Sequence, residues 1–173
     1  MRALATAVIA LTLLITPAFA EEKATAAEAL LKQGLEQAKK EDKRVFVKFG
    51  AVWCGWCHKM DDFLNEAAMK PLFDKAFVIV RVDIEQNAGA EAILKEALGS
   101  AEGGVPSFAF LDADRKVLAK STGTGENIGF PADAPSAKTF RAMLESAKTK
   151  LSAEEIKKIE DRLVAIGKEL AAR

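Results

Sequence analysis

Both cysteines of this 173-residue chain fall within one four-residue window, Cys54-Gly55-Trp56-Cys57. The apolar run 45–49 precedes the window and is typical of a β-strand. An apolar stripe of period 3.6 follows the window and predicts a helix that ends near residue 69. The cysteine pair therefore lies where a strand ends and a helix begins, and the fold must place such a junction there.

Composition excludes several classes of function. The chain has 25 basic and 25 acidic side chains, and nucleic-acid-binding proteins usually carry a basic excess. We therefore expect no nucleic-acid partner. Two cysteines cannot form a multi-disulfide scaffold or a four-thiolate zinc site. A Ser-His-Asp hydrolase would depend wholly on His58, the one histidine of the chain.

The first twenty residues predict a secretory signal peptide. Arg2 precedes an apolar run over residues 3–16, and the small-x-small sequence Ala18-Phe19-Ala20 follows. The run is shorter than the roughly 20 residues of a membrane span, which favours cleavage before Glu21 over an uncleaved anchor. We expect a mature chain of residues 21–173 that is periplasmic or otherwise secreted. We expect no stable membrane insertion after cleavage, because no other segment is long and apolar enough.

The remaining patterns predict one domain over residues 21–173, with a core at about 44–150. A capping box, Thr25-x-x-Glu28, opens a helix at 25–40, and a second one, Ser152-x-x-Glu155, opens an amphipathic helix at 152–170. We expect this terminal helix to pack on the domain, with a dimer contact as the alternative. The other predicted elements are a short helix (71–75), a strand covered on both faces (77–82), a helix capped by Asn87 and stopped by Gly99, a hairpin (107–111 and 116–119), a loop insertion (121–136) and a helix (139–150).

The order of these elements predicts an α/β fold. Strand–helix–strand units favour parallel pairing, with helices on both faces of the sheet. The start of a helix carries a partial positive charge and free N–H groups, which stabilise a thiolate. We therefore expect Cys54 to be an exposed nucleophile. Cys57, one turn further, is expected to be more buried and to resolve a mixed disulfide.

The sequence Trp53-Cys54-Gly55-Trp56-Cys57 resembles the active site of the thioredoxin superfamily. The resemblance extends through 78–83 to Gly104-Val105-Pro106-Ser107, where thioredoxins carry a cis-proline opposite the dithiol. It covers about 44–120 by motifs, and 137–150 by pattern only. It implies a thioredoxin-like three-layer sandwich with a mixed sheet of about four strands and an extra C-terminal helix.

The same resemblance implies an exported thiol–disulfide oxidoreductase in which Cys54 and Cys57 form a redox-active disulfide. The Val105 backbone and Pro106 would hold an extended substrate segment, and Trp53 and Trp56 would flank the reactive sulfur. No organic cofactor and no metal are implied. The partners would be protein thiols and disulfides, together with a membrane-bound or soluble redox protein that supplies electrons.

Lys48 departs from the thioredoxin pattern, because it stands where many thioredoxins place a buried acid. Arg81 occupies the position on the neighbouring strand where a basic residue often stands in that family. If Lys48 and Arg81 both face the dithiol, they favour a thiolate. Alternatively, the Lys48 side chain extends to water or pairs with an acid such as Asp83 or Glu85. His58 adds positive charge when it is protonated. The Gly-Trp dipeptide leaves reductase and oxidase directions equally open.

Three other functions fit parts of the sequence. Cys54-x-x-Cys57-His58 matches c-type haem attachment, with Met60, Met69 or Met143 as a sixth ligand. A zinc site would take Cys54, Cys57, His58 and a carboxylate as ligands, and the first three are crowded onto one turn. A non-catalytic thioredoxin-like binding or chaperone module would use the apolar surface and the insertion. The haem alternative leaves the Gly-Val-Pro-Ser segment unexplained.

Overall fold

A computed structural model describes residues 25–100, 103–123, 125–147 and 149–172. The predicted signal peptide and its cleavage point lie outside these described residues. Within them, no helix is both long enough and apolar enough to cross a membrane.

The centre of the fold is a mixed four-stranded sheet, as the resemblance implies. The strands lie in the order β2-β1-β3-β4; β1 pairs with β2 in parallel, and the β1–β3 and β3–β4 pairs are antiparallel. Their bounds are β1 Arg44–Gly50, β2 Phe77–Asp83, β3 Ser107–Leu111 and β4 Val117–Lys120.

Within the described part of the chain, six helices cover the two faces of the sheet and complete a three-layer sandwich. α1 and α4 pack with the valines of β1 and β2 on one face. The other four helices enclose a larger core on the opposite face. The helices are α1 Ala26–Glu41, α2 Gly55–Asn65, α3 Lys70–Ala76, α4 Ala90–Leu98, α5 Ala134–Ser146 and α6 Ala153–Ala171.

Alternation along β1 divides the core between the two faces. Val45 and Val47 face α1 and α4, whereas Phe46 faces the larger core. The Phe46 ring lies among those of Phe73, Phe77, Phe108, Phe110 and Phe140, with centroid separations of 4.9–6.4 Å. This aromatic cluster fixes β1, and therefore the segment that leads to the cysteines.

Several predicted boundaries are wrong for identifiable reasons. α2 ends at Asn65, not near residue 69, because Glu66 turns to an extended conformation. Asn87 does not cap α4: Gly89 holds the cap position, and the Asn87 side chain accepts a hydrogen bond from Asp83 N. β2 is an edge strand, and the prediction that both of its faces are covered is confirmed: Val78, Val80 and Val82 pack on the α1 and α4 side, and Phe77 and Ile79 pack in the larger core.

The helix predicted at 139–150 is α5, and it begins earlier, at Ala134. Asp133 caps it, and Pro135 occupies its first turn, where a missing N–H costs nothing. The predicted loop at 121–136 is thus shorter, and we call residues 121–133 the insertion loop.

The terminal helix α6 packs on the domain. Its capping box forms as predicted, with Ser152 and Glu155 bonded reciprocally. At α1 only half of the predicted box forms: Thr25 accepts from Glu28 N, and the Glu28 carboxylate pairs with Arg115. The buried face of α6 joins the larger core through Ile156, Ile159, Leu163 and Ile166.

Candidate functional site

The two cysteines form a disulfide at the start of α2. Cys54 is the N-cap residue, and its sulfur accepts a hydrogen bond from Cys57 N at 3.1 Å. The prediction that Cys54 is exposed is wrong, because 4% of the Cys54 surface is exposed and 3% of the Cys57 surface. The exposed groups are the neighbouring indoles of Trp53 and Trp56, at 65% and 55%.

The segment that precedes β3 closes over the disulfide. Cys54 Sγ lies 3.5 Å from the carbonyl oxygen of Val105. The Val105–Pro106 peptide bond is cis, and Pro106 is buried. The fold therefore brings Val105 and Pro106 against the cysteines, although about 50 residues separate them in the chain.

Asn127, in the insertion loop, holds that segment in place. Its side-chain amide nitrogen donates to the carbonyl oxygens of Gly103 (2.9 Å), Gly104 (3.2 Å) and Pro106 (3.0 Å). Sequence reasoning missed this residue, because a lone asparagine among loop glycines carries no signal of partners more than 20 residues away.

A partly buried ion-pair network lies beneath Cys57. The Lys48 side chain is 4% exposed; its ammonium pairs with Asp61 Oδ2 at 2.5 Å and donates to the Cys57 carbonyl oxygen at 3.3 Å. Arg81 Nε bonds the other Asp61 oxygen at 2.9 Å. Lys48 therefore pairs with an acid and does not extend to water, but its partner is Asp61 and not Asp83 or Glu85. Asp83 accepts from backbone N–H groups in its own turn, and Glu85 accepts from Trp53.

Asp61 is the second residue that sequence reasoning missed. A usable signal existed, because Asp61 follows Cys57 by four residues and so shares its helix face. Burial opposes ionisation of Asp61, but the hydrogen bonds from Lys48 and Arg81 outweigh it and hold the pKa of the carboxyl below its usual value. Burial lowers the pKa of Lys48, and the pairing with Asp61 opposes that shift.

The His58 ring is hydrogen-bonded to the backbone of the turn before α2. Its Nε2 atom lies 2.8 Å from the carbonyl oxygen of Val52, so the ring braces the turn before α2. Trp53 Nε1 donates to Glu85 at 2.8 Å, and the Trp56 ring stacks on Phe130 with a centroid separation of 6.2 Å. The two indoles are therefore held in place while exposed.

The comparison with known families identifies the fold family. Residues 26–113, about half of the chain, match the thioredoxin-like family model.

The chain belongs to the thioredoxin-like family.

Relatives and a solved structure agree with that membership. The chain is 34% identical over 86 residues to an uncharacterised protein of Caenorhabditis elegans, and 33% identical over 63 residues to spermatogenesis-associated protein 20 of Mus musculus. It spans only 12% and 8% of the lengths of these two proteins. The solved structure of the disulphide isomerase from Xylella fastidiosa Temecula1 shares the fold, with a TM-score of 0.54 and 22% sequence identity. The match covers 84% of this chain and 94% of the isomerase chain.

A thioredoxin-like fold with a cysteine pair at this spacing supports thiol–disulfide redox activity. The rival haem assignment fits the geometry poorly. Met60, Met69 and Met143 are buried in the larger core and would have to leave it to reach an iron beside His58. Among the described residues, no three His, Cys, Asp or Glu side chains are grouped to hold a metal ion.

Proposed function

We propose that this thioredoxin-like protein is an exported oxidoreductase that exchanges the Cys54–Cys57 disulfide with protein substrates. The observation that carries the proposal is the disulfide itself, which lies at the N-terminus of α2 and is covered by the Val105 segment. Export rests on the sequence of residues 1–20 and implies a periplasmic or secreted location.

The exchange transfers two electrons between the cysteine pair and the substrate. In the reducing direction, the Cys54 thiolate attacks a substrate disulfide, forms a mixed disulfide and expels one substrate sulfur as a thiolate, which takes up a proton. The Cys57 thiolate then attacks Cys54 and releases the second substrate thiol. The substrate disulfide is reduced while Cys54 and Cys57 are oxidised, and a membrane-bound or soluble redox partner restores the dithiol. The oxidising direction reverses these steps.

The surrounding residues support the two halves of this reaction. Trp53, Trp56, Val105 and Pro106 would receive the extended substrate segment. Cys57 N, which donates to Cys54 Sγ, stabilises a thiolate there. Lys48 and Arg81 add positive charge beneath Cys57, and Asp61 partly neutralises it. We assign His58 a smaller share of this tuning, because its ring is bonded to Val52.

Two cysteine variants test the proposal in an insulin-disulfide reduction assay. We expect Cys54→Ser to lose at least about 100-fold in rate, because the attacking thiolate is absent. We expect Cys57→Ser to accumulate a mixed disulfide with insulin, visible by mass spectrometry. Both variants should remain folded by circular dichroism, since the loop that the disulfide closes is very short.

Full activity in Cys54→Ser would contradict the proposal. A non-catalytic binding or chaperone module would instead suppress aggregation equally with and without Cys54, and a Cys54→Ala variant separates the two functions. The equilibrium potential of the pair gives the direction of electron flow. A value near −270 mV indicates a reductase, and one near −120 mV an oxidant.

A further inference from the structure

A groove of about 610 Å³ opens beside the disulfide. One wall belongs to the proposed redox site and includes Trp56 and Pro106. The insertion loop and the last turns of α6 form the other walls, with Ile128, Phe130, Val164 and Leu170. The lining is predominantly apolar, and the groove is as large as many ligand-binding sites.

Two walls of the groove lie beyond the part of the chain that matches the family model. That match ends at residue 113, and the residues of the insertion loop and α6 all follow that point. Gly167 joins these two segments, because a Cβ at this position would overlap the carbonyl oxygen of Ala132. A glycine inside a helix costs about 1 kcal/mol relative to alanine, and here it permits the loop backbone to lie directly on α6.

Contacts tie the groove to the chemistry of the disulfide. Trp56 lies between the two cysteines in sequence and stacks on Phe130. Asn127 bonds the carbonyls on both sides of Val105. A polypeptide held along Val105 for exchange with Cys54 would therefore continue into the groove, because Val105 and Trp56 belong to both surfaces.

The charges on the lining indicate the chemistry of the occupant. Asp133 and Lys168, of opposite sign, line the groove and are exposed. The groove thus offers no net charge, and its apolar walls disfavour a charged side chain, which would lose hydration there. A bulky neutral apolar side chain fits these walls.

We propose that this groove selects protein substrates that carry a bulky apolar side chain a few residues from the cysteine under attack. The inference rests on the proposed thiol–disulfide exchange and names the substrate class of the same site. Recognition combines the backbone at Val105 with burial of the apolar side chain between the insertion loop and α6.

The test uses symmetrical disulfide dimers of a short uncharged peptide with one cysteine. A leucine or a serine is placed two to four residues from that cysteine, on either side. The reduced protein is mixed with each dimer, and the second-order rate constant is measured from the release of two peptide thiols. We expect the best-placed leucine peptide to react about tenfold faster than its serine counterpart, as partial burial of one leucine predicts.

Variants locate the preference in the groove. Leu170→Asp should reduce the tenfold preference to about twofold or less. Ala171→Asp, at an exposed position on the lining, should act in the same direction without disturbing the core. The matched control is Leu30→Asp on α1, which changes a partly exposed leucine outside the groove and should keep the wild-type preference.

The outcomes distinguish the two proposals. If no peptide oxidises the wild-type dithiol, the proposed exchange itself fails. If both peptides react at equal rates, or the preference persists in Leu170→Asp and Ala171→Asp, exchange stands and the groove proposal is overturned. Sedimentation velocity tests a further outcome. If the wild type is a dimer and both aspartate variants are monomers, a second copy of the chain occupies the groove, and the groove proposal is also overturned.

Discussion

The two sides of the Cys54–Cys57 disulfide are built from different interactions. Beneath Cys57, three charged side chains from β1, α2 and β2 form a network around Asp61. Opposite Cys54, the contacts are uncharged: the Val105 carbonyl, the Asn127 amide and the Trp56–Phe130 stack. The two sides therefore have different roles. The charges beneath Cys57 set the thiol pKa values and the redox potential of the dithiol, whereas the shape of the uncharged side selects the substrate.

The largest effect is expected on the charged side, from Asp61→Asn. The change leaves the Lys48 ammonium buried without a counter-charge, and breaking a buried pair costs about 3–5 kcal/mol. Because about a third of the Asp61 side chain is exposed, we expect a loss of about 2–3 kcal/mol in the free energy of unfolding. Urea denaturation measures it.

The same variant should make the disulfide more oxidising. Positive charge without Asp61 favours the thiolates of the reduced form, and each pKa unit corresponds to about 30 mV. Asp62→Asn, at the exposed neighbouring position, is the matched control and should change neither quantity. Equal potentials for Asp61→Asn and the wild type would contradict an electrostatic role for the network.

A smaller effect is expected on the uncharged side, from Asn127→Ala. Three carbonyl oxygens lose their shared donor, so we expect a loss of about 1–2 kcal/mol in the free energy of unfolding. The KM for an oxidised peptide should rise several-fold while the redox potential stays constant. Glu126→Ala, at the exposed adjacent position, is the control. A shifted potential in Asn127→Ala would show that the two sides are not separate.

The smallest effect is a dependence of stability on acid pH. The pKa of Asp61 is lower in the folded protein than its ordinary value near 4. Its contribution to stability is therefore complete above that ordinary value, and it is lost as the pH falls through the folded pKa. Asp61→Asn should flatten this part of the urea-midpoint curve, whereas Asn127→Ala should keep the wild-type slope. Parallel curves for Asp61→Asn and the wild type would contradict the assignment.

The sheet and α6 follow from local sequence patterns. The Val45–Phe49 run and the Ser152 capping box are short-range signals, and each led to the observed element. The start of α5 did not, because Pro135 is as common in loops as in the first turn of a helix.

The site was predictable only in part. The spacing of Cys54 and Cys57 was enough to predict the redox pair. The resemblance to thioredoxins added Val105 and Pro106, from a distant segment, to the predicted site. Asp61 and Asn127 were missed because their roles depend on partners 13 to 24 residues away, on other elements. Cys54 was predicted to be exposed, but it is buried because Val105 covers it. The local sequence around Cys54 does not predict that contact.

Arg81 has a consequence outside the redox site. Among the residues that the structure describes, β2 pairs only with β1 and leaves an open edge. Open edges favour pairing with strands of other molecules. A charged, exposed side chain on the edge strand discourages such pairing. Arg81 therefore protects the protein against aggregation as well as completing the ion pair with Asp61, so its replacement by an apolar residue would lower solubility at high concentration.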